Sequence, residues 1–150
     1  MKEVILITGA TSGIGLEISK ILAEQQFQLI LVAQNEQKLE ELKTVFLKLH
    51  GIEVLTFSID LSQKKNAYLL YDKIRSANIQ VDMLVNNAGI GNYGSFTETS
   101  LEEELKMIDL NIASVVILTK LFAQDMVKRQ SGRIMNVASL LSFLPFPYYS

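Results

Sequence analysis

Two stretches, EVILITG at residues 3–9 and FQLILVA at 27–33, are apolar at successive positions rather than at alternate ones. A strand with one wet face alternates apolar and polar side chains with period two, so a run without alternation belongs in a strand covered on both faces. That is the setting of a parallel sheet with helices above and below. EVLTFSI (53–59), VDMLVNN (81–87) and GRIMNVA (132–138) continue the series. Between the strands lie IGLEISKILAEQ, EQKLEELKTVFLKLHG, QKKNAYLLYDKIRSA and a long segment beginning SLEEELKMIDLN, each with apolar residues three and four apart. The pattern predicts five strands and four intervening helices, joined by right-handed crossovers into a doubly wound α/β sheet. Such sheets take ligands at the carboxyl ends of their strands, near the point where the strand order switches.

Composition narrows the function. The 150 residues are one domain's worth, 49% hydrophobic and 20% charged, and neither a linker nor a repeat interrupts them, so one unit over 1–150 is expected. The net charge is -2, with Lys and Arg scattered, which removes the basic footprint of a nucleic-acid binder. There is no Cys and one His, so no Cys/His metal site is expected, and an intracellular, cytoplasmic setting fits. The first apolar run ends in a Gly-rich turn instead of a cleavage site, and no run reaches the roughly 20 residues that span a bilayer. His50 precedes Gly51 at the end of the second helix, where a cation and a left-handed Gly cap suit the carbonyl end of the dipole.

The first strand runs into TGATSGIG, which places Gly9, Gly13 and Gly15 on the turn and the start of the next helix. A helix N-terminus there offers unpaired amides, and Gly lets a phosphate approach the backbone. Leu16 and Glu17 stand where a P-loop needs a Lys and a hydroxyl, so ATP hydrolysis is not expected. Asp60, Asn86 and Asn87 are expected at the carboxyl ends of adjacent strands, as hydrogen-bonding groups along the sheet edge. Turn formation is their bland alternative. Asn111 lies among apolar residues within a helix, where an amide is expected buried with partners. Ser139 follows the fifth strand, and with no His nearby it is no hydrolytic nucleophile; it either polarises a carbonyl or caps a helix.

Taken in order, Gly9, Gly13 and Gly15, Asp60 in SIDLS, the tetrapeptide NNAG (Asn86 to Gly89), Asn111 and Ser139 resemble the short-chain dehydrogenase/reductase family over residues 8–139. The resemblance implies a Rossmann fold and an NAD(P)-dependent oxidoreductase acting on a small carbonyl or alcohol. It implies cofactor contacts from Gly9, Thr11, Ser12, Gly13, Ile14, Gly15, Gln34, Asp60, Leu61, Asn87, Ala88 and Gly89. It implies catalytic roles for Ser139 and Asn111, the latter holding a water relay. The family's Tyr-x-x-x-Lys pair finds no match, because neither Tyr148 nor Tyr149 has a Lys four residues later. The catalytic Tyr and Lys and the later strands and helices are therefore expected to be missing, with inactivity and an exposed apolar fifth strand as the result. A non-catalytic dinucleotide-binding module is the alternative. An adenosyl-methionine methyltransferase is disfavoured by Ala33 and Gln34, where an acidic residue would stand.

Relatives selective for NAD place an Asp at the position of Ala33, so NADP is the expected cofactor, with NAD possible. The NADP-binding Arg that often stands at Gln34 is absent as well. The helix from about Leu101 to Lys128 is apolar around most of its circumference in IASVVILTKLF, which predicts a homo-oligomer paired through it.

Overall fold

A computed structural model describes residues 2–140, 143, 147 and 148. Five strands, β1 (Val4–Thr8), β2 (Gln28–Ala33), β3 (Val54–Ser58), β4 (Met83–Asn86) and β5 (Arg133–Asn136), form one sheet in the order β3-β2-β1-β4-β5. Every pairing is parallel. The chain steps outward from β1 to β3, then returns to the other side of β1 for β4. The switch point thus lies between β1 and β4, whose register pairs Ile7 with Val85.

β1 and β2 are buried at nearly every position, as their unalternated composition requires. Leu6, Ile30 and Val32 face one helical layer and Ile5, Ile7, Leu29 and Leu31 the other, so the sheet has a core on each side. Full burial of one such Leu or Ile stabilises the fold by about 1.5–3 kcal/mol relative to exposure. Helices α1 (Gly13–Glu24) and α2 (Glu36–His50) cover the face of Ile5 and Ile7. α2 starts on an Asn35 side chain that accepts from Lys38 N at 2.9 Å, and ends on Gly51 in the left-handed conformation at φ 63°. The other face is covered by α3 (Lys64–Ser76) and by the long fourth helix.

That fourth helix differs from the uniform one expected. It is α4 (Leu101–Ile108), a π-helical turn over Asp109–Ser114, and α5 (Val115–Lys128), with right-handed helical dihedrals through both junctions. Asn111 sits inside the π turn. Leu110, Ser114, Leu118, Phe122 and Met126 face inward, whereas Leu101, Leu105, Ile108, Ile112 and Val116 form an exposed apolar stripe.

Two further expectations are corrected. Asp60 lies two residues beyond β3, and β3 is separated from β4 by β2 and β1, so Asp60 and the Asn pair do not end adjacent strands. The sequence cannot reveal this, because apolar runs do not encode their neighbours. β5 is an edge strand of the described sheet, with Arg133, Met135 and Asn136 exposed and Ile134 half-buried, so its edge is mixed rather than purely apolar.

Candidate functional site

The carboxyl ends of β1 and β4 are joined by one hydroxyl. Thr8 Oγ1, buried, accepts from the backbone amides of Asn87 and Ala88, both at 3.0 Å, and donates to Val85 O at 3.3 Å. Asn87 reciprocates, its Nδ2 donating to Thr8 O at 3.0 Å and Gly9 O at 3.3 Å. The two strand ends at the switch point are thereby locked in register. Thr8 carries no motif of its own in the sequence. The available signal was a hydroxyl in a doubly covered strand, which must find partners there.

Gly9, at φ 67°, follows directly, and its amide donates to Val32 O at 2.8 Å. A Cβ on Gly9 would come to 2.9 Å from Ala88 Cα and from Asn87 Nδ2, and one on Gly15 would press into Gly9 O and Asn87 Nδ2. These two glycines allow the turn and the first turn of α1 to close onto β4. Gly13 differs: it adopts φ 52°, and a Cβ there would meet nothing within 4 Å. Ser12 precedes α1 in an extended conformation without a side-chain capping bond, so the first-turn amides face outward beside Gly13. Thr11 is half-buried, and Ser12 and Ile14 are exposed on the same surface. The backbone at the head of α1 is therefore an open, positively polarised cradle suited to a phosphate.

Asp60 and Gln34 form a second cluster, at the ends of β3 and β2. Asp60 Oδ1 accepts from Ser62 Oγ at 2.7 Å, Ser62 N at 3.0 Å and Gln34 Nε2 at 2.8 Å, and Asn66 Nδ2 donates to Asp60 O at 2.8 Å. Burial pushes the Asp60 carboxyl up, but the Ser62 hydroxyl and amide, the Lys106 charge and the Gln34 amide outweigh it and hold the group below its ordinary value. Leu61 is a core residue, so only its backbone can face a ligand.

On the other side, Asn111 is exposed, not buried as expected. Both ends of its amide nonetheless meet one residue: Nδ2 donates to Ile90 O at 2.7 Å and Oδ1 accepts from Ile90 N at 3.0 Å. An amide matches the backbone's donor and acceptor spacing, so the π turn holds the loop after NNAG by both polar groups of one peptide residue. A Cβ on Gly89 would lie 3.3 Å from that Oδ1. Asn86 points inward instead, donating to Thr119 Oγ1 at 3.0 Å and Asn136 Oδ1 at 2.9 Å, which ties α5 and β5 to β4.

Ser139 is exposed three residues beyond β5. Tyr148 is exposed and its backbone carbonyl accepts from Gly94 N at 2.9 Å, whereas Tyr149 lies outside the described residues. Among the described residues, no group of three or more His, Cys, Asp or Glu could hold a metal ion, and no helix is long and apolar enough to cross a membrane.

The chain is similar to known proteins. The family model described as short chain dehydrogenase matches residues 3–150. An uncharacterized oxidoreductase of Staphylococcus saprophyticus is 32% identical over 141 residues, covering 94% of this chain and 60% of that protein. The human very-long-chain 3-oxoacyl-CoA reductase is 30% identical over 148 residues, covering 95% and 46%. Among solved structures, a short-chain dehydrogenase from Sphingobium yanoikuyae in complex with NADPH superposes with TM-score 0.90 at 29% identity, covering 95% of this chain and 56% of its own. An alcohol dehydrogenase from Thermococcus sibiricus, complexed with 5-hydroxy-NADP, gives 0.90 at 31% identity, covering 99% and 63%. The chain thus spans 46% to 60% of the length of these two sequence relatives.

Proposed function

From the premise that the chain belongs to the short-chain dehydrogenase family, we propose that it forms the dinucleotide-binding part of an NAD(P)-dependent oxidoreductase acting on a carbonyl or alcohol. The observation that carries this reading is the cradle at Gly13, where a left-handed glycine stands with open space before it at the head of α1. The residues around it fit a dinucleotide. Outward amides at Gly13, Ile14 and Gly15 would hold the pyrophosphate, and Asp60 with Leu61's backbone would meet the adenine. Asn87, Ala88 and Gly89 would border the adenosine half along the locked β1/β4 edge.

The bound cofactor supplies or accepts the hydride. Ser139 donates its hydroxyl proton in a hydrogen bond to the substrate oxygen, favouring charge build-up there. Asn111 is the residue for which a water relay was expected. Its side-chain amide also holds Ile90 through one N–H and one lone pair, so a positioning role on the loop that borders the crevice stands beside the relay. No Tyr among the 150 residues has a Lys four positions later, so these residues do not supply the family's general acid pair. A positioned general acid contributes about 10² to 10⁴ in rate. The 150-residue chain alone is therefore expected to bind nucleotide without useful turnover.

NADP is the preferred cofactor in this reading. Ala33 ends β2 where an acidic residue would repel a 2'-phosphate, and Gln34 and Asn35 offer neutral polar groups beside it. The complexes of the Sphingobium and Thermococcus proteins with NADP forms support the choice. A homo-oligomer paired through the exposed stripe of α4 and α5 is proposed with it.

The test is to titrate the protein in its full natural length with NADPH and NADH, and to follow NADPH oxidation with aldehydes and ketones. Tighter NADPH binding and turnover that falls with Ser139→Ala support the proposal. Binding without turnover by the full-length protein would favour a non-catalytic module, and equal or tighter NADH binding would end the NADP preference.

A further inference from the structure

The fourth helix widens to a π turn over Asp109–Ser114, and the widening passes over one buried carbonyl. In an α-helix the amide of residue 114 bonds the carbonyl of residue 110. In a π turn it reaches one residue further back, to 109. The next amide, Val115 N, donates to Ile112 O. Leu110 O thereby loses its α partner, and Leu110 is buried, where a carbonyl without a donor is costly. A side chain supplies the donor: Ser114 Oγ, also buried, donates to Leu110 O at 2.6 Å.

A buried serine within a helix commonly bonds the carbonyl four residues back, and Ser19 in α1 does so with Gly15 O at 2.7 Å. There the α ladder already gives Gly15 O an amide, so the hydroxyl adds a second bond. At Ser114 the hydroxyl stands in for the first. The turn is also held from outside, where Lys64, the first residue of α3, pairs with Asp109 at 3.0 Å. A cation in the first turn of a helix opposes the dipole, so Lys64 gains more from Asp109 than from its own helix.

The widened turn carries Asn111, whose amide bonds both Ile90 O and Ile90 N across 21 residues of sequence. Ordinary α pairing would return an amide to Leu110 O, but only by narrowing the stretch from which Asn111 reaches Ile90. With the Ser114 hydroxyl on Leu110 O, that rearrangement gains nothing for the carbonyl.

We infer that Ser114 is a positioning residue of the site: its hydroxyl holds the π turn open and so keeps Asn111 on Ile90, directly after NNAG. Ser114 acts through Asn111 and the segment after β4. Its effect on turnover rests on the oxidoreductase reading above; its effect on Ile90 does not.

The experiment follows hydrogen exchange of the Ile90 amide by NMR in the full-length protein, with amides of β1 as the reference for general loosening. Ser114→Cys keeps nearly the volume of serine and loses the strong donor. Ser114→Ala and Ser114→Cys should each speed Ile90 exchange by about fivefold or more, the scale of one hydrogen bond. Ser19→Ala removes a buried hydroxyl of the same kind and should leave Ile90 within about twofold of the parent. In an Asn111→Ala background, Ser114→Ala should speed Ile90 exchange by less than about twofold, because the link it acts through is gone. Exchange at the parent rate in Ser114→Ala or Ser114→Cys overturns the inference. So does an acceleration shared equally by β1 or reproduced by Ser19→Ala, or an undiminished effect without Asn111. With NADPH and the aldehyde or ketone that the parent reduces fastest, Ser114→Ala should lower kcat by about threefold or more and change the KM for NADPH less; an unchanged kcat denies Ser114 its place in the site. If the full-length protein turns over no carbonyl with either cofactor, the oxidoreductase reading fails by itself, and the exchange rates alone decide the inference.

Discussion

Gly15→Ala and Gly13→Ala exchange the same hydrogen for the same methyl two residues apart, and they should fail in different ways. In an ordinary helix the Ala would gain about 1 kcal/mol over Gly. At Gly15 the new Cβ meets Gly9 O and Asn87 Nδ2 at under 3.0 Å. The first of these is backbone and cannot rotate away. Relief requires the first turn of α1 to retreat, at an overpacking cost of about 1–3 kcal/mol. It also strains the Asn87 bonds to Thr8 O and Gly9 O, worth about 1 kcal/mol each. The net is a loss of about 2–4 kcal/mol, or roughly 5–15 °C in Tm for a domain of this size. Gly13→Ala meets no atom, and its cost is the left-handed backbone at φ 52°, about 1–2 kcal/mol. Its methyl, however, occupies the open face of the cradle. Differential scanning calorimetry with and without saturating NADPH separates the two. Gly15→Ala should melt lowest without ligand, and Gly13→Ala should show the smaller ligand-induced rise. A Gly15→Ala protein as stable as the parent would refute the close-packing argument outright.

Thr8→Val leaves the Asn87 and Ala88 amides without their acceptor and should cost about 2–3 kcal/mol in urea unfolding, whereas Thr8→Ser keeps the hydroxyl and should recover more than half; equal midpoints for both variants would deny the hydroxyl its role. Because the Asp60 carboxyl is held below its ordinary value, its contribution is present above the unfolded-state value and lost as pH falls through the folded one. Asp60→Asn should therefore be less stable than the parent at pH 7, with the gap closing below about pH 4; a gap constant with pH counts against it. Ile112→Glu with Val116→Glu places two charges on the exposed helix stripe and should convert the full-length protein to monomers in light scattering at micromolar concentration. A parent that is already monomeric removes the proposed interface.

The strands were legible because doubly covered strands leave no alternation to misread, and β1 and β2 carry that signature most fully. Gly51 and the glycine turn were legible for a related reason: a left-handed backbone admits few residue types. Strand order is not legible, since an apolar run does not name its neighbour, and nothing in the sequence separates Asp60 from the Asn pair. Thr8 went unremarked because its function depends on a partner 79 residues away in Asn87. The π turn was equally hidden, as DLNIAS keeps helical spacing and only the register of the flanking halves betrays it. Asn111 is legible as a polar amide in an apolar helix, whereas its exposure beside Ile90 depends on the course of the loop after β4.

The π turn at Asp109–Ser114 makes the fourth helix an indexing device. A π turn holds one residue more than an α turn, wound into nearly the same rotation, so the flanking halves keep the phase of an uninterrupted helix. Removing a single residue from DLNIAS would therefore regularise the hydrogen bonding and leave Leu118, Phe122 and Met126 on the sheet. What it would remove is the local width of the turn, and with it the setting from which Asn111 reaches both polar groups of Ile90. The extra residue thus lets the helix hold the segment after β4 without altering how α5 packs.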